Sequence, residues 1–172
     1  MRKLTANFSA ESLKNLADNI RAYTDSLSKK QEIFVERLAS IGIPVIQQRI
    51  AAVNSDSDVN RQSDAYVEIM YRDKEAFGAK LVVHAEDILF IEFGAGIHYN
   101  KTEHPQADEL GYGVGTYPGQ THAFNEKGWW YTDDMGNPHH SYGTKATMPL
   151  YSAYAEMIAR VDQIAREVFG NG

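Results

Sequence analysis

The stretch ILFIEFGAGIHY, from Ile88 to Tyr99, decides how the chain is divided into parts. Apolar side chains at alternate positions share one face of its first half: Leu89, Ile91 and Phe93. This two-residue period predicts a β-strand over 88–93 that covers a core with one face and carries a lone carboxylate, Glu92, on the other. Gly94 and Gly96 then predict a structural turn, because glycine adopts backbone angles that are closed to other residues.

Before this stretch the chain is predicted to form helices first and then strands, with the helices over 10–53. Apolar residues at steps of three and four predict a helix over 10–27, with Ser9 as its N-cap. Ser28 and the glutamine three residues later form a capping-box pattern, which predicts that a second helix begins there and runs over 29–53. Pro44 lacks a backbone donor and crowds the turn before it, so we expect the second helix to bend at Gly42-Ile43-Pro44.

Two further strands are indicated by alternating apolar residues over 65–71 and 79–84. Short links join them to each other and to the stretch at 88–93, which predicts an antiparallel meander of three strands. Near the end of the chain, Thr147 as N-cap and Pro149 in the first turn predict the start of an amphipathic helix that ends near residue 169.

The predicted fold class is α+β, in a single domain over 1–172. Helices over 29–53 and 148–169 are expected to pack on one face of the antiparallel sheet. Along the chain the domain has four predicted parts: a helical region over 10–53, antiparallel strands over 65–93, a long insert over 94–145 and a C-terminal helix over 147–169.

The insert is rich in glycine and aromatic residues and has no clear period. It holds nine of the 13 glycines, both tryptophans and five of the six histidines. A long loop without elements of its own is unusual in a compact domain, so we expect part of it to form a strand near 128–132. We expect the segment over 99–142 to contact another subunit or a tail protein. Four aromatic residues are the predicted anchors of those contacts: Tyr112, Tyr117, Trp129 and Trp130.

Composition restricts the classes of function. The 172 residues carry a formal charge of -6 and no cysteine, so disulfide and thiolate chemistry are excluded. The strand region and the insert are acidic, which argues against nucleic-acid binding, because phosphate affinity depends on clustered Lys and Arg. We expect no signal peptide and no membrane span, and therefore an intracellular protein.

Metal and catalytic sites are not predicted. Five histidines lie in the insert: His98, His104, His122, His139 and His140. Their spacing matches no zinc motif, and we expect them to face solvent or to be satisfied in the core. Six acids near the tryptophans permit an alternative, a glycan-hydrolysing site, but no spacing fixes a catalytic pair: Glu92, Glu103, Asp108, Glu109, Asp133 and Asp134.

Two motifs on either side of the insert resemble one known family. Phe90 to Gly96 resembles a strand that ends in an E-F-G-x-G turn, and Met148-Pro149-Leu150 opens the final helix. Together they frame the chain from about Arg37 to Phe169. This pattern resembles the tail-component family of long-tailed phages and prophages, the tail-completion or head–tail joining proteins, although the insert over 99–142 is longer than the plain family pattern.

The resemblance implies a non-enzymatic virion protein of the neck or tail, assembled in the host cytoplasm without a cofactor. It implies a homo-oligomeric ring around the DNA channel, in contact with other head–tail connector and tail-tube proteins. DNA would pass nearby without specific binding, and no membrane would be involved. The alternative from the residues is a carbohydrate-binding or glycan-hydrolysing domain that uses the Trp-rich insert.

Overall fold

The chain is a mixed helix and sheet protein with a long N-terminal helix, two small antiparallel sheets and a C-terminal helix. The computed structural model describes residues 9–55, 63–72, 75–85, 87–97, 104–112, 124–133 and 135–170. Its elements in chain order are α1 (Ala10–Ser40), α2 (Gly42–Ser55), β1 (Ser63–Arg72), β2 (Glu75–Ala85), α3 (Ile88–Phe93), β3 (Trp129–Thr132), β4 (Pro138–Ser141) and α4 (Pro149–Phe169). The predicted α+β class is confirmed.

Helix α1 is one continuous helix of 31 residues. Ser9 caps it as predicted, with its side-chain oxygen 3.2 Å from the backbone nitrogen of Ser12. The predicted restart at Ser28 is wrong. No glycine or proline interrupts the sequence from 10 to 40, so the capping-box pattern lies inside a helix that has no reason to end there.

The chain turns from α1 into α2 at Ile41, slightly before the predicted bend. Pro44 falls in the first turn of α2, where its missing backbone donor costs no hydrogen bond. A Cβ atom at Gly42 would overlap a methyl carbon of Leu81 and would lie 3.2 Å from the Cβ of Ala153. A glycine therefore allows the start of α2 to approach both β2 and α4 closely.

The first sheet consists of β1 and β2, which pair antiparallel with a bulge between Met70 and Tyr71. The predicted strands at 65–71 and 79–84 are thus confirmed and extend by a few residues. Buried apolar residues from three helices form the core beside this sheet: Ile46, Ile50 and Val53 of α2, Ile91 of α3 and Ala153 of α4. Leu81 and Val83 of β2 pack against that cluster.

The predicted third strand at 88–93 is wrong, because this stretch is the helix α3. Helical backbone hydrogen bonds are present at both of its ends, from the Ile91 nitrogen to the Asp87 oxygen at 3.0 Å and from the Gly94 nitrogen to the Phe90 oxygen at 2.8 Å. A short, almost wholly apolar run fits either period, so alternation alone could not decide. Among the described residues the sheet consequently has two strands, β1 and β2, and no meander.

Helix α4 packs mainly against α1 and α2 and not on the sheet face that was predicted for it. Phe34 of α1 and Phe169 of α4 lie with ring centroids 5.7 Å apart. Beside them, Arg37 donates to a carboxylate oxygen of Glu167 at 3.2 Å. Within the part of the chain that the structure describes, no helix is both long and apolar enough to cross a membrane.

Candidate functional site

Glu92, at the end of α3, is the hub of a buried polar site. Its side chain is 4% exposed. One carboxylate oxygen, Oε2, accepts the backbone N–H of Leu150 at 2.8 Å. The other, Oε1, accepts the N–H of Tyr151 and the His104 Nε2–H, both at 2.9 Å. Because the first N–H groups of a helix have no partner within it, Glu92 acts as the N-terminal cap of α4 from 58 residues away.

Thr147 was predicted to be this cap, and that prediction is wrong. Met148 occupies the N-cap position with φ 53°, and its side chain makes no capping hydrogen bond. The backbone N–H of Thr147 instead donates to the Ile91 oxygen at 2.9 Å. Pro149 stands in the first turn of α4, as predicted. A carboxylate near the positive end of the helix dipole is a stronger acceptor than a hydroxyl. This accounts for the capping of α4 by Glu92 and not by Thr147.

His104 is satisfied in the core, one of the two environments that were predicted for the histidines. Its Nδ1 accepts the backbone N–H of Gln106 at 3.1 Å, so the ring proton lies on Nε2 and points to Glu92. Phe93 and Tyr151 pack on the ring at centroid distances of 4.5 and 5.3 Å. Both ring nitrogens are therefore hydrogen-bonded within the protein, and neither is left to bind a metal ion.

The glycine turn joins the end of α3 to the segment before α4. Gly94 and Gly96 have φ values of 79° and 82°, a region that favours glycine. Between them, Ala95 exchanges two backbone hydrogen bonds with Thr144, each 2.8 Å long. Gly143 approaches this bridge so closely that a Cβ there would overlap the Ala95 carbonyl oxygen. We call the Glu92 hydrogen bonds and this bridge together the clasp.

The predicted contact residues lie in two different places. Tyr112 is half-buried and stacks on Phe93 with centroids 4.0 Å apart. Trp129 is half-buried as well, and its ring lies over Gly96. Trp130 is 69% exposed. Tyr117 lies outside the described residues. The structure thus brings two of the four residues to the clasp and places one on the surface.

Strands β3 and β4 form an exposed hairpin with aromatic and histidine side chains on both faces. The predicted strand near 128–132 is confirmed as β3. His140 packs edge-on against Trp130 at 5.0 Å, and His139 stacks on Tyr131 at 5.4 Å, on opposite faces as expected for adjacent strand residues. No group of three or more acidic or histidine side chains in the described ranges is placed to hold a metal ion.

Asp133 organises the turn of this hairpin. Its Oδ1 accepts the backbone N–H groups of Asn137 and Met135 at 2.7 and 3.0 Å. Its Oδ2 accepts from His139 Nε2 at 3.0 Å and from the Asn137 amide at 3.1 Å. The bond from His139 and those from Asn137 lower the pKa of Asp133 from 3.8 to about 2. The carboxylate is therefore a turn former at neutral pH.

An apolar cleft of about 310 Å³ opens beside the clasp. The buried side chains of Glu92 and His104 line this cleft. Four exposed side chains line it as well: Leu89, Leu110, Leu150 and Tyr154. Sequence reasoning singled out Glu92 as the lone acid of an apolar run but missed its partners. Two features of the sequence could have indicated these partners: the single acid in an apolar run, and a final helix that begins with Met-Pro-Leu.

Comparison with protein-family models, curated proteins and solved structures finds no match to this chain. The chain's function is therefore inferred from the site itself and from the motifs that meet in it. A buried carboxylate of this kind has two common uses, in catalysis or in holding a fold together. Its contacts favour the second use, because every donor around Glu92 belongs to the protein backbone or to a histidine that is fully engaged.

Proposed function

We propose that this chain is a structural virion protein, a ring-forming head–tail connector or tail-completion subunit of a long-tailed phage or prophage. One observation carries the proposal: the two motifs behind the family resemblance meet in one site. Glu92 of the E-F-G-x-G stretch accepts the N–H of Leu150 in Met148-Pro149-Leu150 at 2.8 Å. The first motif is the end of helix α3 and not the strand that the resemblance implied, so the direct contact between the two motifs is what supports the proposal.

The chemistry of the acidic residues supports a building block more than an enzyme. A general acid or base needs a proton position that a substrate can reach. Glu92 is buried and accepts from three protein donors, and Asp133 is occupied by four hydrogen bonds of its own turn. Glu92 and Asp133, two of the six acids considered above, therefore serve the fold, while Glu103 and Asp134 lie outside the described residues.

The surface supports an assembling protein. Large apolar side chains are exposed on α1, beside the clasp and on the hairpin, including Ile20, Leu110 and Trp130. Apolar surface in patches marks contact sites for other proteins. We assign these surfaces to neighbouring subunits and to other head–tail connector and tail-tube proteins, with the acidic chain next to a DNA channel that it does not bind specifically.

The position in the particle gives the test. Particles induced from the strain that carries the gene would be labelled with gold-conjugated antibody against this chain and imaged, with a deletion strain as control. We expect label at the neck, where tail meets head, and unjoined heads and tails in the deletion strain. Normal particles from the deletion strain, without label in the wild type, would contradict the proposal.

A second candidate function rests on Trp130. An exposed indole, 69% accessible and flanked by His140, is the type of aromatic surface on which a sugar ring can stack. The candidate is a carbohydrate-binding domain. Calorimetric titration with soluble cell-wall glycan fragments tests it: binding by the wild type that Trp130→Ala abolishes would favour this function, and no heat of binding would reject it.

A further inference from the structure

The N-terminal half of α1 carries an apolar stripe that faces solvent. We define the α1 stripe as Leu13, Leu16, Ile20, Tyr23 and Leu27. Four of its members are exposed by 39 to 57%. No side chain from 9 to 27 is buried. The stripe runs along more than three turns of α1, yet no described part of the chain buries it.

Three side-chain contacts join the C-terminal half of α1 to the rest of the described chain. Glu32 accepts a hydrogen bond from the Tyr71 hydroxyl at 2.8 Å, and Arg37 pairs with Glu167 at 3.2 Å. Phe34 packs on Phe169. The first buried side chain of α1 is Ala39. The fold therefore holds one half of the helix and leaves the apolar face of the other half uncovered among the described residues.

The spacing of the stripe fits a second helix better than a globular surface. Its members follow one another at steps of three, four, three and four, an average of 3.5, which is the repeat of a coiled-coil seam. A helix that packs on a domain core usually has a wider apolar face, with further apolar residues beside the seam positions. Here the flanking positions hold small or neutral polar residues: Ser12, Ala17, Asn19, Thr24 and Ser26.

The charges of this half lie away from the seam. All five charged residues from 10 to 28 occupy positions on the opposite side of the helix: Glu11, Lys14, Asp18, Arg21 and Asp25. Arg21 and Asp18 pair there at 3.3 Å. A second copy of the same helix would therefore meet no like charge in the contact, in either a parallel or an antiparallel arrangement. An anionic membrane surface fits less well, because three of the five charges are acidic.

We propose that the α1 stripe docks against the α1 stripe of a second copy of this chain, as a two-helix coiled-coil contact. This goes beyond the proposed function: because the same surface lies on both sides of the contact, it pairs two subunits and does not by itself extend a ring. Helix pairing of this length is marginal for isolated peptides. On a folded subunit the C-terminal half of α1 is already ordered, which lowers the entropy cost of pairing.

Sedimentation velocity over a range of concentrations tests the contact. The stripe variant is Ile20→Glu with Tyr23→Glu. The control is Asn15→Glu with Ala22→Glu, two exposed positions off the seam that add the same charge to the same helix. We expect the wild type and the control to associate reversibly, and the stripe variant to associate roughly a hundredfold more weakly or worse, because carboxylates would be buried without partners. Circular dichroism shows that each variant is folded.

A cysteine introduced into the α1 stripe shows whether a second copy or the chain itself covers the stripe, since the chain has no cysteine of its own. In an Ile20→Cys variant we expect the thiol to react with a maleimide in dilute solution and to become protected as concentration rises. Protection in the monomer would mean that the chain covers its own stripe, and would overturn the proposal. So would a wild type that stays monomeric, or a stripe variant that associates like the control. In this last case label at the neck would still support the virion role, so the two proposals fail separately.

Discussion

The clasp and the β3–β4 hairpin are each organised by a carboxylate, and they differ in burial. Glu92 accepts two helix N–H groups and a histidine proton in a buried site, where its side chain is 4% exposed. Asp133 accepts two turn N–H groups, an amide and a histidine proton on an open hairpin. The same hydrogen bonds stabilise more where water cannot replace a lost acceptor. The clasp should therefore govern global stability, and the hairpin turn should govern local order.

Removal of the buried carboxylate should have the largest effect. Glu92→Ala leaves two helix N–H groups and the His104 Nε2–H without an acceptor, and we expect the free energy of unfolding to fall by about 3–5 kcal/mol. Urea denaturation measures it. Glu156→Ala, on an exposed ion pair of α4, is the control and should change stability by less than about 1 kcal/mol. If both variants lost the same free energy of unfolding, the claim that the clasp governs global stability would be contradicted.

The glycine turn offers a matched pair of substitutions. Gly96 and Gly111 have φ values of 82° and 77°. A Cβ at Gly96 would lie 2.9 Å from the Tyr142 oxygen, whereas one at Gly111 would meet no described atom within 4 Å. We expect Gly111→Ala to cost about 1 kcal/mol for the backbone alone and Gly96→Ala about 2–3 kcal/mol. Thermal unfolding of both variants compares them, and a larger loss at Gly111 would contradict the close approach.

The two adjacent tryptophans should separate fold from surface. Trp129 is half-buried over Gly96, so Trp129→Ala should lower the free energy of unfolding by about 1–2 kcal/mol. Trp130→Ala should change it by less than about 0.5 kcal/mol, because that side chain is exposed. If Trp130 is a contact residue, its variant should nevertheless assemble poorly. A Trp130→Ala protein that unfolds more easily than Trp129→Ala would reverse the assignment.

Acid should loosen the hairpin turn, with the smallest effect on the whole molecule. The pKa of Asp133 is lowered from 3.8 to about 2, so the ionised carboxylate stabilises the turn fully above pH 3.8. That stabilisation is lost as pH falls through about 2. Amide resonances of Met135 and Asn137 followed by NMR from neutral to acid pH should shift in this window. Asp133→Asn should show no such titration, and a midpoint near the ordinary value in the wild type would contradict the hydrogen-bond set.

The hydrophobic period of the sequence predicted much of the fold, but it did not predict the site. The steps of α4 and the alternation of β1 and β2 were decisive, because each pattern runs long enough to fit only one period. The run at 88–93 is six residues long and almost wholly apolar, so it fitted strand and helix alike. Its actual form depends on contacts that local sequence does not contain.

The capping of α4 shows why the site escaped prediction. Thr147 has the right residue type next to the helix, and local rules favour it. The acceptor used is Glu92, which reaches the helix only after the glycine turn and the Ala95–Thr144 bridge have brought two distant segments together. His104 completes the site through yet another segment. Such convergence depends on the tertiary fold and has no local spacing.

Hydrogen exchange at the first turn of α4 tests the clasp most directly. The amide protons of Leu150 and Tyr151 would be followed by NMR in the wild type and in Glu92→Gln, which keeps the side chain's size but turns one acceptor into a donor. We predict slow exchange of both amides in the wild type and at least roughly tenfold faster exchange in the variant, with the middle of α4 unchanged. Equal exchange of these two amides in both proteins would contradict the claim that Glu92 caps the helix.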